Sequence, residues 1–108
     1  MKKKIAVFLF DGYADWEIAY LTPEISKNED FELIYFSKNR KAIRSKGGLS
    51  VQPDAELAQI NVGDIRLLVL PGGDAWHTAE NNELTDLVKE TFEKGKPIAT
   101  ICAGTAFL

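Results

Sequence analysis

The most reactive side chain in this sequence belongs to Cys102, its only cysteine. The apolar run Ile98-Ala-Thr-Ile101 precedes it, and Ala103-Gly104 follows, so small neighbours would allow a tight turn from a strand into a helix. Such a turn, a nucleophile elbow, raises the side chain above the sheet edge, and the adjacent helix N-terminus favours the thiolate. We therefore predict that Cys102 is a nucleophile. A buried core cysteine at the end of an apolar run is the alternative.

A second segment could supply an oxyanion site beside this nucleophile. Gly72 and Gly73 directly follow the apolar run that ends at Leu70. The carboxyl ends of parallel strands meet at one edge of a sheet, so this loop should face Cys102. The backbone N–H groups of Gly72 and Gly73, together with that of Ala103, could then bind a developing oxyanion. An ordinary tight turn is the alternative for the glycines.

An acid and an imidazole complete the candidate set. Glu17 should lie in the first turn of a helix, between Trp16 and Ile18. If these neighbours are packed, the Glu17 carboxyl group faces the crevice, where it can keep its proton and donate a hydrogen bond to a thiolate. A solvated glutamate at a helix start is the alternative. His77, the only histidine, could edge the pocket, or it is an exposed loop residue.

The elements that must position these groups alternate between strand and helix. Short continuous apolar runs are typical of strands buried on both faces of a parallel sheet. The pattern predicts a doubly wound α/β fold with a mostly parallel sheet, a flavodoxin-like sandwich. The predicted strands are Ile5–Phe10, Phe31–Phe36, Arg66–Leu70 and Ile98–Ile101.

Helical spacing and turn residues predict the remaining elements. A helix should begin at Asp15 and be kinked or shortened by Pro23. Residues 42–52 should form two short extended pieces that turn at Gly47-Gly48, and Asp54 should cap a short helix that reaches Ile60. A helix over Asn82–Lys94 should bury one apolar stripe, made of Leu84, Leu87, Val88 and Phe92.

Composition excludes several classes of protein. A chain of 108 residues is too short for two domains, and 13 Lys and Arg against 16 Asp and Glu (13 − 16 = −3) disfavour a nucleic-acid footprint. One cysteine allows no intramolecular disulfide, and one Cys with one His cannot form a zinc site. The apolar run after the first lysines is too short for a signal peptide or a membrane span, so we expect a cytoplasmic protein.

Four motifs occur in order along the chain: Asp11–Glu17, Gly47-Gly48-Leu49, Leu70–Gly73 and Ala99–Gly104. Together they resemble the ThiJ/PfpI superfamily, which has the class I glutamine amidotransferase-like fold and includes the Parkinson-disease-associated deglycase and intracellular proteases. The resemblance implies that Cys102 is the elbow cysteine, that Glu17 contacts its sulfur, and that Gly73 and Ala103 donate to the oxyanion. The family's usual histidine would fall beyond Leu108, and His77 does not match it.

The resemblance also implies an organisation and an activity. Because the family continues past the elbow and the sequence stops in an apolar stretch, we expect residues 1–108 to be the N-terminal part of one domain. The expected function is a cysteine-dependent hydrolase, or a glyoxalase-like or deglycase-like lyase, that acts on small carbonyl or acyl compounds without a cofactor or metal. Such a protein would be a homodimer or a higher homo-oligomer.

Two other functions remain open at this stage. The first is a redox or stress sensor, in which the cysteine is oxidised to sulfinic acid instead of turning over substrate. The second is a non-catalytic binding domain of the same fold. Against a flavin-binding form, the loop Asp11–Asp15 has no Ser or Thr for a phosphate, and no Gly-x-Gly-x-x-Gly motif is present.

Overall fold

The computed structural model describes residues 3–73 and 84–101. It has a five-stranded parallel sheet in the order β5-β2-β1-β6-β7 and a separate two-stranded antiparallel hairpin, β3-β4. The parallel α/β architecture predicted from the sequence is confirmed. The strands are β1 (Lys3–Phe8), β2 (Phe31–Ser37), β3 (Ile43–Arg44), β4 (Ser50–Val51), β5 (Ala55–Glu56), β6 (Ile65–Leu70) and β7 (Ile98–Thr100).

The central strand is β1, because β2 and β6 pair with its two edges. Ala6, Val7 and Phe8 have no exposed surface, which explains why this run is apolar at every position instead of alternating. The Phe8 ring packs against Phe10 and Phe36, with centroids 5.5 and 5.3 Å away. These rings form the core beneath the carboxyl ends of β1 and β2.

The predicted first helix is interrupted. It forms as α1 (Asp15–Ile18) and α2 (Leu21–Ser26), and the break falls before Pro23. Pro23 lies in the first turn of α2, where its missing N–H is not needed. Within a continuous helix its ring would clash with the carbonyl group of Ala19, so the interruption lies where the proline requires it.

The short helix predicted from Asp54 to Ile60 is wrong in its first part. Ala55 and Glu56 instead form β5, which pairs with the end of β2. The backbone N–H of Tyr35 donates to Oδ2 of Asp54 at 3.1 Å, and the Asp54 N–H donates to the Tyr35 carbonyl at 2.7 Å. Asp54 thus extends the sheet instead of capping a helix, and only a 3-10 turn, Leu57–Gln59, follows.

The last helix, α3 (Thr85–Glu93), buries Leu87 and Val88 as the stripe predicts, and Leu84 before it is also buried. Phe92 was predicted to join this stripe, but 77% of its surface is exposed. Thr91 is buried in its place, and its hydroxyl group donates to the Leu87 carbonyl at 2.7 Å. None of the helices in the two described ranges combines the length and apolar character needed to cross a membrane.

Candidate active site

The crevice of this sheet lies between the carboxyl ends of β1 and β6. The chain leaves β1 towards β2 and β5 and returns on the opposite side to form β6, and such a reversal is where parallel α/β sheets bind ligands. Two loops meet there. The Ala14 N–H donates to the Gly72 carbonyl at 2.9 Å, and Tyr13 forms an isolated antiparallel bridge with Gly73.

Glu17 enters this crevice from α1. Its side chain is partly buried, and its Oε2 atom is buried with no hydrogen-bond partner in the described part of the chain. A Cβ atom on Gly72 would come within 2.8 Å of Oε2 and 3.0 Å of Cδ. Only a glycine lets the carboxyl group lie this close to the loop, so the structure brings Glu17 and Gly72 together.

The apolar setting predicted for Glu17 is present on one side only. Ile18 is buried, whereas 60% of the Trp16 surface is exposed. Glu17 is therefore placed less by packing of its neighbours than by the close approach of the Gly72 loop.

Gly73 is held by a different set of atoms. A Cβ atom there would lie 2.6 Å from Cε2 of Phe10 and 2.9 Å from the Gly12 carbonyl oxygen, and the residue has a φ of +157°. Both neighbours are fixed, one a buried ring and the other main chain. The bond from Ala14 is to the Gly72 carbonyl group and does not use the Gly73 N–H.

A carboxylate that the sequence analysis did not single out anchors the other side of α1. Asp15 accepts hydrogen bonds from the Ser45 hydroxyl group and, at 2.8 Å, from the Gly47 N–H. The Ser45 hydrogen bond holds the pKa of Asp15 below its usual range, although partial desolvation opposes this effect. The signal in the sequence is the Ser-Lys-Gly-Gly turn, which presents a hydroxyl group and a free N–H two residues apart.

Main-chain bonds join the same hairpin to the loop after β1. The Gly12 N–H donates to the Arg44 carbonyl and the Lys46 N–H to the Tyr13 carbonyl, both at 2.8 Å. The Arg44 N–H donates to Oδ1 of Asp11 at 2.9 Å. Tyr13 is buried between these contacts, and burial, followed by the nearby Asp15 carboxylate, raises the pKa of its phenol group.

Three predicted site residues, Cys102, Ala103 and His77, lie outside the described residues. The described chain ends at Ile101, whose N–H donates to the Leu70 carbonyl at 3.2 Å. This bond brings the end of β7 level with the last residue of β6, two positions before Gly72. Within residues 3–73 and 84–101, no three His, Cys, Asp or Glu side chains are grouped closely enough to hold a metal ion.

Comparison with known proteins identifies relatives over nearly the whole chain. This chain is 35% identical over 106 residues to YdeA of Bacillus subtilis, which is named an uncharacterized protease. The match covers 98% of this chain and 52% of that protein. The chain is also 35% identical over 106 residues to a deglycase of Thermococcus kodakarensis, with 97% and 63% covered. The chain thus spans about half the length of the first relative and less than two thirds of the second.

One solved structure is similar to this chain in both fold and sequence. The DJ-1 superfamily protein Atu0886 of Agrobacterium tumefaciens superimposes with a TM-score of 0.86 at 32% identity, covering 96% of this chain and 56% of that one. The family model described as DJ-1/PfpI matches residues 3–108. Glu17 and Gly72 are in contact at the reversal between β1 and β6 in this fold. Because the family model matches residues 3–108, the chain belongs to the DJ-1/PfpI family.

Proposed function

We propose that this chain carries the active site of a cysteine-dependent DJ-1/PfpI enzyme that acts on small carbonyl or acyl compounds. The observation that carries the proposal is the Glu17 carboxyl group, whose Oε2 atom is buried, against Gly72 at the edge where the strand preceding Cys102 ends. Cys102 is the next residue in the sequence after Ile101, whose N–H bonds to the Leu70 carbonyl group at this edge. Relatives named deglycases and proteases support the same class of chemistry.

In the proposed reaction, the Cys102 thiolate attacks the electrophilic carbon of the carbonyl group. A carbon–sulfur bond forms, and the π electron pair moves to the oxygen, where the N–H groups of Gly73 and Ala103 stabilise the negative charge. With an aldehyde the oxygen then takes a proton from water and a hemithioacetal results. With an acyl compound the oxygen re-forms the carbonyl group and expels the leaving group, which takes a proton from water, and a second water molecule then hydrolyses the resulting thioester and frees the cysteine. Glu17 donates a hydrogen bond to the sulfur and favours its ionised form.

The direct test is methylglyoxal turnover by the full-length protein and two variants. Cys102→Ser should abolish turnover, because a serine hydroxyl group is not ionised at neutral pH and cannot replace the thiolate as the nucleophile. Glu17→Gln should lower it about tenfold, because an amide N–H donates a weaker hydrogen bond to the thiolate than a carboxylic acid O–H does, and about 1.4 kcal/mol corresponds to a tenfold change in rate. His77→Ala, at the pocket edge in our prediction, should change KM more than kcat. Equal turnover by the wild type and Cys102→Ser would refute the proposal.

A second function is favoured by the same unpartnered oxygen atom. Glu17 Oε2 has no hydrogen-bond partner among the described residues, so it is available to hydrogen-bond an oxidised sulfur. We propose as the alternative that Cys102 is oxidised to sulfinic acid and acts as a redox sensor. Mild peroxide followed by intact mass should show addition of two oxygen atoms that is lost in Cys102→Ser and reduced in Glu17→Gln. Unselective oxidation would contradict this alternative.

A further inference from the structure

Glu17 is carried by a helix that is too short to hold itself in place. α1 has four residues, and Ala14 at its N-cap makes no side-chain hydrogen bond to it. An isolated helix of this length is not stable, because fixing its first turn costs more free energy than its few bonds return. The position of the Glu17 carboxyl group therefore depends on contacts that α1 makes with other elements.

One such contact lies on the Gly72 side. The Ala14 N–H donates to the Gly72 carbonyl at 2.9 Å, and this bond fixes the start of α1 against the loop after β6. It restrains the main chain just ahead of the helix, as does the bridge between Tyr13 and Gly73. Ile18 is buried at the far end of α1, and a further contact at the start of the helix would fix its rotation and hence where Glu17 is directed.

Asp15 supplies that contact from the opposite side of the helix. Asp15 and Glu17 are two positions apart, so their side chains leave the helix axis about 200° from each other. Asp15 meets the β3-β4 hairpin while Glu17 meets Gly72. α1 is therefore held on one side by the hairpin and on the other by the Gly72 loop.

The contact with the hairpin is close and directional. The two Asp15 oxygens are used separately, one by the Ser45 hydroxyl group and the other by the Gly47 N–H. Ser45 is 5% exposed, and its oxygen accepts a hydrogen bond from the Leu49 N–H at 3.0 Å, which directs its own proton to Asp15. A Cβ atom on Gly47 would lie 3.0 and 3.1 Å from the Asp15 oxygens, so the turn itself packs against the carboxylate.

We infer that Asp15 is a positioning residue: through Ser45 and Gly47 it fixes the rotation of α1 and so holds the Glu17 carboxyl group against Gly72. This inference rests on the proposed function, in which Glu17 contacts the reacting sulfur. Asparagine is not equivalent to Asp15, because its Nδ2 amide group would face one of the two hairpin donors in place of an acceptor oxygen.

The test compares variants of the full-length protein in methylglyoxal turnover. Asp15→Asn and Ser45→Ala should each lower kcat roughly tenfold with little change in KM, because misplacing a catalytic group slows the reaction without weakening substrate binding. Ser45→Thr keeps the hydroxyl group and should recover most of the rate. The matched control is Asp54→Asn, whose carboxylate also accepts a backbone N–H from another element but lies at the β2-β5 edge. Its kcat should equal that of the wild type even where its Tm falls.

A second measurement separates this inference from the proposed function. The amide NMR resonance of Gly72 reports on the adjacent carboxyl group, so Asp15→Asn and Ser45→Ala should shift it in the same direction as Glu17→Gln. An unmoved resonance in both variants, or a kcat loss equal to that of Asp54→Asn, would overturn the positioning role. If the resonance moves as expected while Glu17→Gln keeps full turnover, positioning stands and the proposed function fails.

Discussion

Gly72 and Gly73 are chain neighbours whose missing side chains serve different purposes. At Gly72 the absent Cβ leaves room for the end of the flexible Glu17 side chain. At Gly73 it leaves room for the buried Phe10 ring and the carbonyl group of Gly12, neither of which can move freely. The first glycine thus sets the position of a functional group, and the second allows the loop to pack.

Alanine at these two positions should therefore have opposite consequences. We expect Gly72→Ala to displace the Glu17 carboxyl group, to lower turnover to the level of Glu17→Gln, and to cost less than about 1 kcal/mol of the free energy of unfolding. Gly73→Ala should cost about 1–3 kcal/mol, because it overpacks fixed neighbours. Urea denaturation of both variants, with turnover of the folded protein, checks this. Equal destabilisation by the two substitutions would contradict the assignment.

The Asp15 carboxylate also makes a pH-dependent contribution to stability. Its pKa in the folded protein lies below the ordinary value of 3.8, chiefly because of the Ser45 hydrogen bond. A lowered folded pKa means that the stabilisation is fully present at neutral pH and is lost as the pH falls from about 4 through that lowered value.

We therefore expect the stability difference between the wild type and Ser45→Ala to be constant at neutral pH and to shrink in acid. Urea denaturation from neutral pH down to about pH 3 measures it. Asp54→Asn serves as the control for general acid sensitivity. A difference that grows on acidification would show that the Ser45 hydrogen bond does not favour the ionised form of Asp15.

At the scale of elements, apolar runs predict the strands well, because parallel strands are buried on both faces and their pattern is local. The sequence-based predictions fail where a contact with a residue distant in the sequence determines the local structure. Asp54 looks like a helix cap in isolation, yet two bonds with Tyr35 make it part of the sheet edge. The contact of Asp15 with Ser45 joins residues thirty positions apart, so the Ser-Lys-Gly-Gly turn is visible in the local sequence but its partner is not. Proximity of Glu17 to the Gly72 loop was predictable, because both follow strands that end at one sheet edge.

Helix α3 offers the clearest test of which apolar residues belong to the core. We expect Leu87→Ala to cost about 2–4 kcal/mol, because Leu87 is 8% exposed. Phe92→Ala should cost less than about 1 kcal/mol in the 108-residue chain, since Phe92 lines an open groove of about 650 Å³ beside Ile98. Thermal or urea denaturation of the two variants checks this. A Phe92→Ala cost equal to that of Leu87→Ala would mean that another surface covers this ring.

At the scale of the whole molecule, stability is concentrated in the middle of the sheet. Strands β1 and β6 contribute residues with no exposed surface, among them Ala6, Val7, Leu68 and Val69. The site is built from loops at the edge of this core and is held by hydrogen bonds to a short hairpin. The rigid part of the molecule therefore positions a site that is itself less strongly packed.

Native-state hydrogen exchange should reveal this difference in local stability between the central strands and the site loops. The amides of β1 and β6 should exchange most slowly, at a free energy close to that of global unfolding. The amides of Gly47 and Leu49, which bond to the Asp15 and Ser45 side chains, should exchange through smaller openings and should become faster in Ser45→Ala, with β1 unchanged. Exchange at Gly47 as slow as that in β1 would show that the hairpin unfolds only with the sheet.

The contact between Glu17 and Gly72 also has a consequence for the order of assembly during synthesis. Everything from α2 to β6 separates these two residues along the chain, and their approach requires β6 to dock beside β1. This contact therefore cannot form in a nascent chain until Gly72 has left the ribosome. An antibody or chemical probe specific for the pair would report docking of β6 beside β1 rather than local helix formation.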